Sequence, residues 1–175
     1  AGIVGGWLGD DRRLYLTDDL TDVLPTDQWA REACLLAHRL EAERIIVETN
    51  YGGDQATLVI KTAWEALVRE GQVTGLCPQI VAVTAKKGKL LRAEPIAGQW
   101  REDKIRIIGS LPKLEHEWTT WVVDADSPGR IDASVYLAYA LLPVPGSEAV
   151  VGSPAKAGGK STRGGSRYSR PVHRP

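Results

Sequence analysis

Two carboxylates occupy positions from which they could act on a ligand. Glu48 directly follows three large aliphatic residues, Ile45, Ile46 and Val47, so it ends a strand that the sequence predicts to be buried. In open α/β sheets, ligands bind at the carboxyl ends of the strands. A glutamate that ends a strand is also often only solvated, so Glu48 alone leaves both interpretations open.

The second carboxylate, Asp132, lies near the start of the last predicted helix. Val135, Tyr136 and Tyr139 form the apolar face of that helix, and the spacing of Asp132 from the first two places it on the same inward face. Burying an unpaired carboxylate is costly. Asp132 therefore needs a salt bridge, a favourable place in the helix dipole, or a bound cation. Arg130 is one candidate for the salt bridge.

Together the two carboxylates predict a site for hard divalent cations, Mg²⁺ or Mn²⁺, because oxygen ligands favour these ions over zinc. Two such ions, about 3.5 to 4 Å apart, would stabilise the attacking and leaving oxygens of a phosphodiester displacement. Two carboxylates are few for two ions. Asp126 could assist from nearby or act only as a helix cap, and a third ligand is expected from a strand that pairs with residues 2–8 and precedes them.

A basic segment follows the second predicted buried strand. It contains Lys86, Lys87, Lys89 and Arg92, whose positive charges beside the proposed site would contact phosphates without sequence preference. A solvated loop explains the same residues equally well. The net charge does not discriminate, because 22 basic residues cancel 22 acidic ones, and only the local distribution of charge could indicate a nucleic-acid partner.

The elements that must position these residues alternate between strand and helix. Extended runs predict strands at residues 2–8, 13–20, 44–48, 80–83 and 104–108. The first two flank a polar turn and predict an antiparallel pair, whereas the third and fourth are continuous apolar runs typical of central parallel strands. Helical spacing predicts helices that start near residues 26, 55, 89, 111 and 128. The pattern predicts an α/β fold.

The composition predicts one domain over residues 1–145, since 175 residues with 43% hydrophobic content are enough for a single core. Residues 146–175 are rich in Gly, Ser, Pro and basic residues, so we expect a disordered basic tail. Cys34 and Cys77 lack the paired spacing of metal or disulfide sites, and we interpret them as buried thiols. No membrane span or signal peptide is predicted, so we expect a cytosolic protein.

Three segments resemble, in the same order, the motifs of the RNase H-like nuclease domain of phage terminase large subunits. The segment IIVETNYGG at residues 45–53 is similar to a strand-and-loop motif in which an acidic residue precedes Asn and a Gly pair. The segment KLLRAEP at residues 89–95 resembles the family's basic helix segment, and SPGRIDA at residues 127–133 resembles its closing motif. The resemblance covers roughly residues 1–142.

The resemblance implies an RNase H-like mixed sheet with helices on both faces. It also implies that Glu48 and Asp132 are catalytic metal ligands, with Asp126 a weaker candidate, in a two-metal endonuclease that cuts concatemeric double-stranded DNA for packaging. The implied partners are the portal protein and the small terminase subunit, in the cytoplasm of the infected or lysogenic bacterial host. The family's first ligand, an Asp on the first strand, would precede Ala1, so we expect a domain that lacks this strand and cleaves poorly.

Two alternatives remain open. One is another RNase H-like nuclease, of the resolvase or transposase type. The other is a non-catalytic module of the packaging motor that binds DNA or the portal protein.

Overall fold

The computed structural model describes residues 1–49, 55–122, 129–144 and 151–152. Within these ranges, strands and helices alternate along the chain. The strands are β1 (Val4–Leu8), β2 (Leu14–Asp19), β3 (Arg44–Glu48), β4 (Gln79–Ala85), β5 (Ile105–Ile107) and β6 (Val151–Gly152). The helices are α1 (Thr26–Arg39), α2 (Gln55–Arg69), α3 (Lys89–Arg101), α4 (Pro112–Thr120) and α5 (Gly129–Leu141).

The strands form two mixed sheets. In the first sheet the order is β1-β2-β5, with β1 antiparallel and β5 parallel to β2. In the second the order is β3-β4-β6, with β3 parallel and β6 antiparallel to β4. The predicted α/β fold with mixed strand pairing is confirmed. The prediction that β3 is a central strand is wrong, because within the described ranges β3 is an edge strand of its sheet.

The predicted antiparallel pair at the start of the chain is confirmed as β1 and β2. The turn between them closes with a hydrogen bond of 2.8 Å from the Gly9 amide to the Arg13 carbonyl. Arg12 has a φ of 62°, the left-handed conformation that tight hairpin turns require. A β-bulge interrupts the pairing between Gly5 and Gly6.

Helices cover both faces of the strands, as expected. Neighbouring residues of a strand point to opposite faces. In β1, Val4 packs on the face covered by α5. Gly5 points to the other face, where a Cβ would lie 2.7 Å from the Leu40 side chain at the end of α1. In β3, Ile45 packs with α1 and α2. Therefore α1 and α5 lie on opposite faces.

Two hydrophobic clusters hold these layers together. The first joins β2 and β5 to α3, α4 and α5, and its fully buried members include Leu14, Leu16, Ile96, Leu114 and Ile131. The second joins α1 and α2 to β3 and β4, around Cys34, Ile60, Trp64 and Leu67. The prediction of a buried thiol is confirmed for Cys34, and burial raises the pKa of this thiol to about 12. Cys77 is only partly buried.

A cavity of about 320 Å³ separates the two sheets. We call it the inter-sheet slot. Its sides are residues 2–6, which include the start of β1, and residues 44–48 of β3, while α1 and α5 form its two faces. Protein interiors contain few voids larger than a water molecule. A cavity of this size between two strand edges is therefore unusual for a closely packed domain.

The end of the chain differs in part from the predicted disordered tail. Val151 and Gly152 form β6, which pairs with Ala85 and Thr84 of β4. Two residues can satisfy backbone groups along a sheet edge without burying a core of their own, which is why composition gave no sign of them. The rest of the predicted tail lies outside the described residues. None of the helices within the described ranges is long and apolar enough to cross a membrane.

A close backbone contact between Gly2 and Gly129 yields the first prediction. A Cβ at Gly2 would overlap the Gly129 carbonyl oxygen and lie 2.7 Å from its carbonyl carbon. We expect Gly2→Ala to lower the free energy of unfolding by about 1–3 kcal/mol, as overpacking does. Urea unfolding followed by circular dichroism measures the change.

Gly98, inside α3, provides the matched control. No heavy atom lies within 4 Å of a Cβ at this position, so Gly98→Ala should instead stabilise the chain by about 0.8–1 kcal/mol through helix propensity. If Gly2→Ala were as stable as the unsubstituted chain, the close contact between Gly2 and the start of α5 would be contradicted.

Candidate functional site

The two carboxylates that the sequence singled out lie at one site. Glu48 is the last residue of β3, and Asp132 lies in the first turn of α5. Both contact the guanidinium of Arg92 from α3: Nη1 is 3.9 Å from Glu48 Oε1, and Nη2 is 3.3 Å from Asp132 Oδ1. A strand end and two helix starts therefore converge on one cluster of charges.

Arg92 is the buried member of this cluster, with a side chain only 4% exposed. Its Nη1 donates a hydrogen bond to the hydroxyl of Tyr136, and its guanidinium carbon lies 5.0 Å from the centre of that ring. Tyr139 donates to the Arg92 carbonyl oxygen at 3.0 Å. The sequence grouped Arg92 with surface lysines as a DNA contact. The structure instead directs its charge toward the carboxylates, which leaves it little access to phosphate.

Tyr136 links Arg92 to Glu48. Its hydroxyl accepts from Arg92 Nη1 and donates to the Glu48 carboxylate. Burial, and then the hydrogen bond to Glu48, raise the pKa of Tyr136 above its usual value, so the phenol keeps its proton well beyond neutral pH. The sequence assigned Tyr136 only to an apolar face. Its position one helical turn after Asp132 was the available signal for a role at the site.

The three lysines of the basic segment are exposed beside the carboxylates. Lys86 and Lys87 lie in the loop between β4 and α3, and Lys89 is the first residue of α3. Lys89 Nζ is 3.2 Å from Asp132 Oδ2. The helix places Lys89 and Arg92 on one face, because residues three apart are neighbours on a helix surface.

Arg130 is not the partner of Asp132, although the sequence left that possibility open. Arg130 Nε lies 2.6 Å from Asp19 at the end of β2, and its Nη1 lies 2.7 Å from Glu117 of α4. These contacts tie α5 to β2 and α4. Asp132 is thus balanced by Arg92 and Lys89, from a different helix.

The carboxylates offer hard oxygen donors for a divalent cation. Mg²⁺ is commonly held by one or two carboxylates and keeps several waters, so Glu48 and Asp132 have the chemistry to supply the protein oxygens for one such ion. Within the described ranges, no group of three or more His, Cys, Asp and Glu side chains is placed to hold a metal. Asp126, the weaker candidate, lies outside the described residues. A second ion would therefore need a further ligand.

A scan against protein-family models and a search of curated proteins found no match. Among solved structures, a crystal structure of the yeast mitochondrial Holliday junction resolvase is similar, with a TM-score of 0.44 and 11% sequence identity. The alignment covers 77% of this chain and 71% of that chain.

The position of Arg92 predicts the effect of removing its charge. Arg92→Met would leave Glu48 and Asp132 with only part of the positive charge that now contacts them. Removing one member of a buried pair costs about 3–5 kcal/mol. Because the Glu48 side chain is 34% exposed, solvent screening should reduce the loss to about 1–3 kcal/mol. Urea unfolding in the absence of divalent cations measures it.

Two further variants test this explanation. Arg101→Met, at the exposed end of α3, should change stability by less than about 0.5 kcal/mol. Adding Glu48→Gln and Asp132→Asn to the Arg92→Met chain should recover part of the loss, since the repelling charges are gone. Equal stabilities for the Arg92 and Arg101 variants would show that the charge cluster does not stabilise the fold.

Proposed function

We propose that the chain is an RNase H-like nuclease domain of a phage terminase large subunit, which hydrolyses double-stranded DNA with divalent cations. One observation carries this proposal: Glu48 and Asp132, far apart in sequence and singled out by separate motifs, contact the same guanidinium. The order of the three motifs supports the assignment to terminases. The mixed α/β architecture, with helices on both faces, is compatible with it.

In this proposal the side chains divide the work. Glu48 and Asp132 would hold a divalent cation through their carboxylate oxygens, and Tyr136 orients Glu48 through its donated hydrogen bond. A Mg²⁺ or Mn²⁺ held there would supply activation of a water and stabilisation of charge on the phosphate. The positive charge of Arg92 balances the negative charges of the two carboxylates. The second ion of a two-metal reaction would need a third acid, for which Asp126 is the candidate within this sequence.

The lysines supply the proposed contact with DNA. Lys86 and Lys87 are exposed in the loop that leads to Lys89, which itself lies 3.2 Å from Asp132. Lysines in such a position would bind phosphates of either strand without sequence preference. We propose the portal protein and the small terminase subunit as partners, and the cytoplasm of an infected or lysogenic bacterium as the location.

A non-catalytic DNA-binding module is the second candidate function. The observation that favours it is electrostatic: Arg92 and Lys89 already neutralise the two carboxylates of the described site. In such a module the carboxylates would anchor basic side chains and would not hold cations. A nuclease of the resolvase or transposase type would use the same carboxylates on a branched DNA substrate.

Binding of Mn²⁺ separates these candidates. Loss of an outer-shell partner of a metal ligand typically costs about 10–100-fold in affinity, so Glu48→Gln or Asp132→Asn should weaken Mn²⁺ binding by at least about tenfold. Isothermal titration calorimetry measures this. Glu43→Gln, which changes an exposed carboxylate just before β3, should leave Mn²⁺ binding unchanged.

Cleavage of DNA provides the second measurement for the same variants. With two carboxylates at the described site, we expect slow Mn²⁺-dependent nicking of a supercoiled plasmid, and none from either site variant. Both variants should still bind DNA. If the unsubstituted chain neither binds Mn²⁺ nor nicks DNA but does bind it, the non-catalytic module is correct. Preferential cleavage of a four-way junction over linear duplex would favour a resolvase.

The salt dependence of DNA binding tests the lysine loop. Each phosphate contact contributes about 0.9 to the slope of log affinity against log salt concentration. Lys86→Ala with Lys87→Ala should therefore lower affinity for all duplex sequences and reduce the slope by about 2. Fluorescence anisotropy over a range of salt concentrations measures both quantities.

A control that removes two lysines elsewhere keeps the net charge equal. Lys61 of α2 and Lys113 of α4 are exposed and lie outside the loop. The Lys61→Ala, Lys113→Ala chain should keep the slope of the unsubstituted chain. Equal slopes for the two double variants would mean that binding follows overall charge, and would reject the loop as the DNA contact.

A further inference from the structure

Both oxygens of the Asp132 carboxylate contact basic side chains of α3. Oδ1 lies 3.3 Å from Arg92 Nη2, and Oδ2 lies 3.2 Å from Lys89 Nζ. Arg92 also lies 3.9 Å from Glu48, the other carboxylate of the site. Because like charges repel each other at such short range, a divalent cation held by Glu48 and Asp132 competes with these two basic side chains.

The two basic side chains differ in how firmly they are held. Arg92 is only 4% exposed, donates a hydrogen bond to the Tyr136 hydroxyl and lies over the ring of that residue. Separating it from its partners would leave a buried charge unpaired, which is strongly unfavourable. The Lys89 side chain is 50% exposed, and ion pairs at such exposure contribute little to stability, since water replaces the lost partner. Of the two, Lys89 is therefore the partner that a cation can displace.

A displaced Lys89 ammonium would add to the basic loop that precedes it. Lys89 is the first residue of α3, directly after the loop that carries Lys86 and Lys87, and all three lysines are exposed. The ammonium sits on a flexible four-carbon stem, so it can leave Asp132 without movement of the helix. In contact with Asp132 its charge is largely cancelled. Release gives the loop one more positive charge for a phosphate.

We propose that Lys89 couples cation binding to DNA binding. Its ammonium leaves Asp132 when Glu48 and Asp132 hold a divalent cation, and it then contacts a DNA phosphate beside Lys86 and Lys87. This proposal rests on the proposed function, because it needs a cation at these two carboxylates. By linkage, DNA and the cation raise each other's affinity by the same factor. The domain then binds DNA most tightly when it holds the ion that hydrolysis requires.

The affinity for Mn²⁺ in the absence of DNA tests the competition. Lys89→Met removes the ammonium and keeps an unbranched side chain. The variant should bind Mn²⁺ about two- to fivefold more tightly than the unsubstituted chain in isothermal titration calorimetry, which is the strength of an exposed ion pair expressed as a ratio.

Lys87→Met is the charge-matched control for this measurement. It removes an equal charge from the same loop and leaves the contact between Lys89 and Asp132 in place. Lys87→Met should therefore tighten Mn²⁺ binding less than Lys89→Met does. Equal tightening by the two variants would show only a general effect of charge, and would overturn the proposal.

The salt dependence of DNA binding tests the second half of the exchange. Mn²⁺ should steepen the slope of log affinity against log salt concentration more in the unsubstituted chain than in Lys89→Met, by about 0.9, the contribution of one phosphate contact. The comparison between chains removes the effects of Mn²⁺ on the DNA itself, which are the same for both. Lys87→Met should lower the slope with and without Mn²⁺ but keep the increase. An equal increase in the unsubstituted chain and in Lys89→Met would reject the exchange.

Acylation of lysine amines follows the displacement directly. An ammonium that has left a carboxylate is more accessible to an acylating reagent, so saturating Mn²⁺ should raise the labelling of Lys89, measured by peptide mass spectrometry. Labelling of Lys113, exposed on α4, should stay constant. In Asp132→Asn, Lys89 should be labelled strongly with and without Mn²⁺. If saturating Mn²⁺ leaves the labelling of Lys89 unchanged in the unsubstituted chain, the ammonium stays at Asp132 and the proposal is wrong.

The outcomes separate this proposal from the proposed nuclease function. Binding of Mn²⁺ and nicking of DNA, with no effect of Lys89→Met on either Mn²⁺ affinity or the salt slope, would reject the coupling and keep the nuclease. Coupling through Lys89 without any nicking would keep the coupling and reject the nuclease. Binding of Mn²⁺ by neither chain would reject both. Binding of Mn²⁺ only by Lys89→Met would show that Lys89 excludes the cation, and would overturn the coupling.

Discussion

The buried guanidinium of Arg92 is the contact on which the arrangement of the site depends. A charge with almost no exposure to water is costly unless opposite charges and hydrogen bonds surround it. Glu48, Asp132 and Tyr136 supply these from β3 and α5. If β3 and α5 separated, the cation would lose its partners. The same contact that stabilises the fold thus also fixes the spacing of the two carboxylates.

The sequence predicted the elements well because their signals are local. Helical spacing, continuous apolar runs and turn residues are read within a few positions of each other. Apart from β6, the strands and helices of the described ranges lie where those signals placed them. The two carboxylates were also found from local context: Glu48 from the apolar run before it, and Asp132 from its phase on a helix. Their convergence needed the fold, because β3 and α5 meet only through long-range packing.

What the sequence could not show is which face of an element is enclosed and by what. Arg92 stands close to three lysines in the chain, so the pattern indicated one basic surface. Both Lys89 and Arg92 contact Asp132, but α5 packs over Arg92 and buries it, whereas the Lys89 side chain remains half exposed. The apolar run of β3 was similarly ambiguous. A continuous apolar run indicates that helices cover the strand on both faces. It does not indicate how many strands lie beside that strand.

Edge strands usually create a risk of open-ended aggregation, because each strand added to a sheet exposes a new edge. Among the described residues, the edges of β1 and β3 differ in this respect, since both line the inter-sheet slot between α1 and α5. A single added strand uses both edges and exposes no new one there, so growth at this point stops after one step. Within the described residues, this geometry would therefore limit the growth of either sheet at this point, where an open edge would permit it.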